Sequence, residues 1–151
     1  MISLALALRL KLAGLEWTPK LNDFFAIPER GLDTHIFVLS DLQASIEKMF
    51  GSEVVAFQGA SEWALDYLVS SEAVWMPREE QIRAALLELL PEGDKHLRLD
   101  CSRAGYQLQM SSGDLIISSQ ALNAEDAYAE ALLKLLNFHK NTSAQGKSEV
   151  Q

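Results

Sequence analysis

An α+β fold with a largely antiparallel sheet is what this chain predicts, and three observations carry that reading. From His96 to Met110 apolar and polar residues alternate across a turn, and Leu115–Ile117 closes the set after the turn at Ser112-Gly113-Asp114, the pattern of a meander with one buried face. Two later stretches, Ile82–Leu90 and Leu132–Leu136, repeat apolar residues at helical spacing. Between Phe24 and Phe57 lie short apolar runs cut by Pro28, Gly31 and Gly51, as in hairpin strands. The expectation is a single α+β domain over 1–138, with β-hairpins and a C-terminal three-stranded meander packed against three main helices. Residues 139–151 are expected to form a disordered tail. At 151 residues the chain fits one domain, and a domain of that size buries about 70% of its unfolded surface without disulfides or metal.

The first element, LALALRLKLA over 4–13, carries leucine at every even position, which alone would suggest a strand. Ala, Leu, Arg and Lys are nevertheless strong helix formers, and no β-branched residue interrupts the run. Ser3 suits the N-cap and Gly14 the stop, so a helix is expected with Leu4, Leu8, Leu12 and Leu15 facing the core. Phe24–Ile27 and His35–Leu39 read as strands, separated by Pro28 and a polar loop.

Residues 40–51 divide the signals. Ser40 and Gln43 form a capping-box pattern, and Leu42, Ile46, Met49 and Phe50 follow helical spacing up to Gly51. Alternatively Ala44–Met49 and Val54–Phe57 are two arms of a hairpin turning at Gly51-Ser52. Ser61–Val69 reads as a short helix with Trp63 and Tyr67 one turn apart. Ala73–Met76 is extended.

Pro77 fits a first helical position, Glu79 and Glu80 suit the helix dipole, and Ile82, Ala85, Leu86, Leu89 and Leu90 form the apolar stripe. Pro91 and Gly93 end that helix. In the meander, Leu97, Leu99 and Cys101 share the inward face, followed by Tyr106, Leu108 and Met110 and then Leu115–Ile117. The last helix starts at Asn123 and runs to about Phe138.

Composition excludes several functions. A net charge of −8, from 21 acids and 13 scattered bases, argues against nucleic acid, because phosphate binding needs clustered Lys and Arg. The single cysteine rules out an internal disulfide and a cysteine-based zinc site. The apolar start, Ile2–Leu8, is followed by charges and not preceded by them, and it is too short for a bilayer. A soluble cytoplasmic protein, without direct membrane insertion, is the expectation.

No glycine-rich phosphate loop is present, and His35, His96 and His139 lack metal-ligand spacing. No GxSxG elbow accompanies Ser61, and Cys101 in the inward register reads as a small buried hydrophobe. No metal and no cofactor are therefore expected. Glu62 and Asp66, one helical turn apart, lack a third acid for a cation site. Arg78-Glu79-Glu80 echoes part of a Nudix box but in the wrong order and without its upstream glycine.

Ile36–Asp41, Glu62–Asp66, Trp75–Glu79 with Gln81, Ser3–Gly14 and Glu125–Tyr128 together resemble a family of small bacterial proteins whose members often carry the label "pilus assembly protein". The resemblance spans about residues 1–138. It implies a strand over Ala44–Met49, and hence the hairpin, and brings with it no functional residues. An assembly ATPase would need a P-loop that this chain lacks.

Three functions remain as expectations. The first is a non-catalytic binding or regulatory module that meets a protein partner through Trp63, Asp66, Trp75 and Arg78, residue types favoured at protein contacts, with self-association as a homodimer. The second is a small enzyme or small-molecule binder in which Asp33, Glu62 and Asp66 converge on His35. The third, implied by the resemblance, is an accessory subunit of a pilus or secretion machine.

Overall fold

In the computed structural model, which describes residues 1–28, 32, 35–40, 44–49, 51–57, 67–69 and 72–145, the chain begins with α1 (Leu4–Leu12). The strands β1 (Phe24–Ala26), β2 (Ile36–Val38), β3 (Ala44–Met49), β4 (Ser52–Phe57), β5 (Tyr67–Val69) and β6 (Val74–Trp75) follow. Then come α2 (Glu79–Leu89), β7 (Lys95–Ser102), β8 (Gly105–Ser112), β9 (Leu115–Ala121) and α3 (Ala124–Gln145). The fold is α+β, and the pairings among the described strands are antiparallel, in the orders β2-β1-β6, β3-β4-β5 and β7-β8-β9. By contact density the chain divides into two compact units, one formed by Met1–Leu15 with Arg78–Gln151 and the other by Glu16–Pro77.

In the first unit α1 forms as its composition dictates. The Ser3 hydroxyl accepts from the Leu6 N–H at 3.2 Å, and Gly14 leaves the helix at φ +97°. Its buried face is not the one expected. Leu6, Ala7 and Leu10 are buried, whereas Leu4 and Leu8 are intermediate and Leu12 is 79% exposed. With leucine at every even position, several helical faces carry leucine, so spacing alone could not select among them.

α2 opens two residues later than expected, at Glu79 and not at Pro77. Pro77 precedes the N-cap, Arg78, whose own N–H donates to the Gln81 Oε1 at 2.9 Å. Ile82, Leu86 and Leu90 are buried along the expected stripe. The expected three-stranded meander is present, with Leu99 opposite Leu108 and Met110 opposite Ile117. Gly105 is required at the first turn: its φ is +115°, and a Cβ there would lie 2.4 Å from the Ala121 carbonyl oxygen.

Cys101 departs from its expected burial and is exposed. It lies on the edge strand, next to the hairpin tip, where cover from the core has already faded from the half-buried Leu97 and Leu99.

α3 packs against α1, α2, β8 and β9. Asn123 caps it, its Oδ1 accepting from the Asp126 N–H at 2.8 Å. Ala127, Ala131, Leu132 and Leu135 are fully buried. The helix continues to Gln145, so residues 139–145 of the expected tail are helical, and 146–151 lie outside the described residues. Apolar periodicity misses this turn because polar bonds hold it. The His139 Nε2 lies 2.9 Å from the Leu89 carbonyl oxygen, and the Lys140 Nζ donates to the Leu12 carbonyl at 2.8 Å.

The second unit contains the hairpin over 44–57, with Met49 paired to Ser52 across Gly51 at φ +84°. The alternative implied by the resemblance thus prevails over the local helix signal at 40–50. Tyr67–Val69 is a strand paired to β4, not the end of a helix, because these residues complete a three-stranded sheet. The remainder of that expected helix, 61–66, lies outside the described residues. A core of Phe25, Ile27, Leu39, Val55 and Ala73 links the two small sheets, with Trp17, Leu32, Phe37 and Ile46 packed around it.

Candidate functional site

Trp75 sits on β6, at the edge of the β2-β1-β6 sheet, opposite Phe25 in register. Val74 and Met76 on either side are buried, which fixes the strand and leaves the Trp75 ring half-buried. Its Nε1 is shielded from solvent and has no hydrogen-bond acceptor among the described residues. A buried donor left in that state costs about 1–3 kcal/mol, so the indole is held with unspent hydrogen-bonding capacity.

Arg78 belongs to the other unit, at the head of α2. Its Nε donates to the Glu80 carboxylate, and Arg83 faces Glu79 at 3.5 Å one turn apart. The Arg78 hydrogen bond, helped by Glu80's own backbone N–H at the helix start, holds the Glu80 carboxyl below its ordinary 4.5. Glu80 therefore stays ionised near neutrality and is unsuited to donate a proton. Trp63 and Asp66 lie outside the described residues, as do Asp33 and Glu62. His35 is exposed and stacks on Phe37 with ring centroids 6.5 Å apart.

The most completely built polar feature was not singled out from sequence. Asp23 is 2% exposed, and its Oδ2 accepts from the Trp17 Nε1 at 2.9 Å and from the Lys20 N–H at 3.0 Å. Its backbone continues the same knot: the Asp23 carbonyl accepts from the Leu39 N–H at 2.9 Å, and the Asn22 N–H donates to the Leu39 carbonyl at 2.8 Å. Asn22 adopts φ 68°, a left-handed conformation that Asn tolerates better than most residues. The signal was local: Pro19 followed by Asn22-Asp23 before a strand is turn chemistry in which Asp binds nearby backbone. Next to this knot runs a ring series, Trp17 to Phe25 at 5.8 Å and Phe25 to Phe37 at 5.5 Å. The Asp23 carboxylate and the rings serve packing and orientation, and among the described contacts of this knot none places a nucleophile beside a base.

Tyr106 and Cys101 face each other across β7 and β8. The Cys101 side chain, as hydrogen-bond partner and as neighbouring charge, pushes the Tyr106 phenol above its ordinary 10.0, so the hydroxyl stays protonated. Among the described residues no group of three or more His, Cys, Asp or Glu side chains could hold a metal ion. No helix among them is long and apolar enough to cross a membrane.

No protein-family model, no curated protein and no solved structure matches this chain.

Proposed function

We propose that the chain is a non-catalytic binding module that meets a protein partner through Trp75 and, as the sequence pattern suggests, through Trp63, Asp66 and Arg78. The observation that carries this reading is the Trp75 indole: a half-buried ring on an edge strand, with a shielded N–H that has no acceptor among the described residues. A partner would cover the exposed part of the ring, and where its docking opens the cover over Nε1 a partner carbonyl or carboxylate would supply the acceptor, the combination that makes Trp a frequent anchor at contacts.

The test compares wild type with Trp75→Phe and Arg78→Ala in quantitative affinity capture from a native lysate, with thermal unfolding in parallel. Trp75→Phe keeps an aromatic ring and removes only the donor and some area. The expected result is a partner lost or weakened at least about tenfold by Trp75→Phe, at a melting temperature close to wild type. Partners retained at wild-type levels by both folded variants would sink the reading. A set of captured proteins consisting of pilus or secretion components would in addition favour the accessory-subunit role that the family resemblance implies.

A further inference from the structure

The meander has two unlike edges. On the β9 side α3 reaches over, and the Lys134 Nζ donates to the Ser118 carbonyl at 2.7 Å, occupying a backbone acceptor. On the other side β7 ends the sheet, and among the described residues no strand pairs with its outer edge. Long open edges invite strand addition, and proteins usually blunt them with charge.

β7 does carry charge, but its charges are arranged so that they complement a second copy of themselves. The two-residue turn at Arg103-Ala104 closes on the pair Ser102–Gly105. Such a turn closes on a hydrogen-bonded pair, and in antiparallel ladders hydrogen-bonded and non-bonded pairs alternate. The backbone groups of Asp100 and Arg98 therefore point toward β8, and those of Cys101, Leu99 and Leu97 point outward.

We infer that β7 is a self-pairing edge: two copies of this chain join β7 to β7 in antiparallel register about a two-fold axis at Leu99, making one continuous sheet. In that register Leu99 exchanges backbone hydrogen bonds with the partner's Leu99, and Leu97 does so with the partner's Cys101. Every outward backbone group from Leu97 to Cys101 is thereby satisfied. Arg98 falls opposite the partner's Asp100, and Asp100 opposite the partner's Arg98, at non-bonded positions where side chains lie closest.

The charges also choose this register over its neighbours. Sliding the partner by one pleat repeat keeps the backbone pairing but sets Arg98 against the partner's Arg98, or, in the other direction, Asp100 against the partner's Asp100. Like charges directly opposite are destabilising. Among the described residues Arg98 and Asp100 pair with each other, at 2.9 Å, with side chains 74% and 48% exposed. The dimer gives each a second opposite charge. It also accounts for the half-buried Leu97 and Leu99 and the exposed Cys101 on the inward register of an edge strand, since the partner's same residues extend the apolar face. The interface is isologous, as expected of a two-fold dimer.

The test is a charge-reversal mixture of the full chain, followed by sedimentation equilibrium. Wild type should dimerise with rising concentration. Arg98→Asp and Asp100→Arg should each weaken self-association at least about tenfold. Mixed one to one, the two variants should associate as heterodimers, because both pairs of positions 98 and 100 are then attractive. In parallel, Leu97→Cys should give a disulfide-linked dimer with the partner's Cys101 on mild oxidation, since the pair lies within disulfide reach, and Cys101→Ser should abolish it. A wild type that stays monomeric, single variants that associate like wild type, or a mixture no better than either variant overturns the inference. If a charge variant fails to fold, the cysteine cross-link decides alone, and its absence overturns the register. Trp75→Phe should leave this association unchanged, which separates its failure from that of the partner-binding reading.

Discussion

The two compact units solve the burial problem by different means. In the unit formed by the chain ends, one long helix supplies Ala127, Ala131, Leu132 and Leu135 to a core shared with two other helices and a regular meander. Glu16–Pro77 shows strands of two to six residues among its described parts, and depends on aromatic rings and a buried carboxylate to fix them. Long periodic elements bury apolar area through repetition, so single positions share the load. Short strands have few residues to bury, and individual groups such as Phe25 and Asp23 become indispensable.

Phe25→Ala breaks this comparison most directly. Phe25 is fully buried and touches both Trp17 and Phe37, so the substitution should cost about 3–5 kcal/mol. Amide hydrogen exchange should then show lost protection in β1, β2 and β6 while α3 keeps its own. Equal loss in α3 would mean that the two units share one unfolding transition.

Gly105→Ala attacks the other unit. Left-handed strain together with the collision against Ala121 should cost about 3 kcal/mol, seen in denaturant unfolding. Gly51→Ala is the matched control in the second unit: φ is +84° but nothing among the described residues lies within 4 Å of the added carbon, so only about 1–2 kcal/mol of strain is expected. Equal costs would show that the close approach at Gly105 relaxes freely.

Asp23→Ala strips the acceptor from the Trp17 indole and the Lys20 N–H and should cost about 2 kcal/mol. Tryptophan fluorescence should shift to the red as the Trp17 end of the ring series loosens. An unshifted spectrum with unchanged stability would remove the carboxylate from the forces that order this unit.

The smallest effect concerns Glu80. Its carboxyl is held below the ordinary 4.5, so its contribution is present above that value and is lost as pH falls through the lowered folded-state value. Glu80→Gln should flatten the stability–pH curve below about pH 4.5 and leave it unchanged near neutrality. Because the side chain is 55% exposed, solvent screening keeps the difference small. A variant curve that still matches wild type in acid would show that the Arg78 contact does not survive in solution.

What was legible in the sequence follows the same division. The meander, α2 and the start of α3 were readable because period and turn chemistry agree there over many residues. Within the first unit the failures came where several answers share one pattern. Leucine at every even position of α1 left its buried face open, and inward alternation at Cys101 could not reveal that the sheet ends at β7. The last turns of α3 rest on His139 and Lys140 reaching distant carbonyls, which no local pattern encodes.

In the second unit the local signals were misleading outright. Residues 40–51 carry a helix-like cap and spacing, yet Ala44–Met49 pairs with Ser52–Phe57 as a hairpin, and 67–69 form a strand, because pairing with β4 outweighs weak propensity in short segments. Of the proposed contact surface, Trp75 and Arg78 were legible as residue types. The shielded, unbonded state of the indole was not, since it depends on what the fold fails to place nearby.

The side chains that α3 extends to the ends of other elements set an order in time. Lys140 meets the last carbonyl of α1, His139 that of α2, and Arg9 of α1 reaches Glu130 at 2.6 Å. A ribosome releases the α1 segment well before these partners. Glu16–Pro77, contiguous in the chain, has all its own contacts available as soon as it emerges, whereas the α1 leucines must wait for more than a hundred intervening residues. Domains tend to fold as units during synthesis, and distant contacts close late. The leucine-rich α1 segment therefore lacks its α3 partners until the intervening residues have been made.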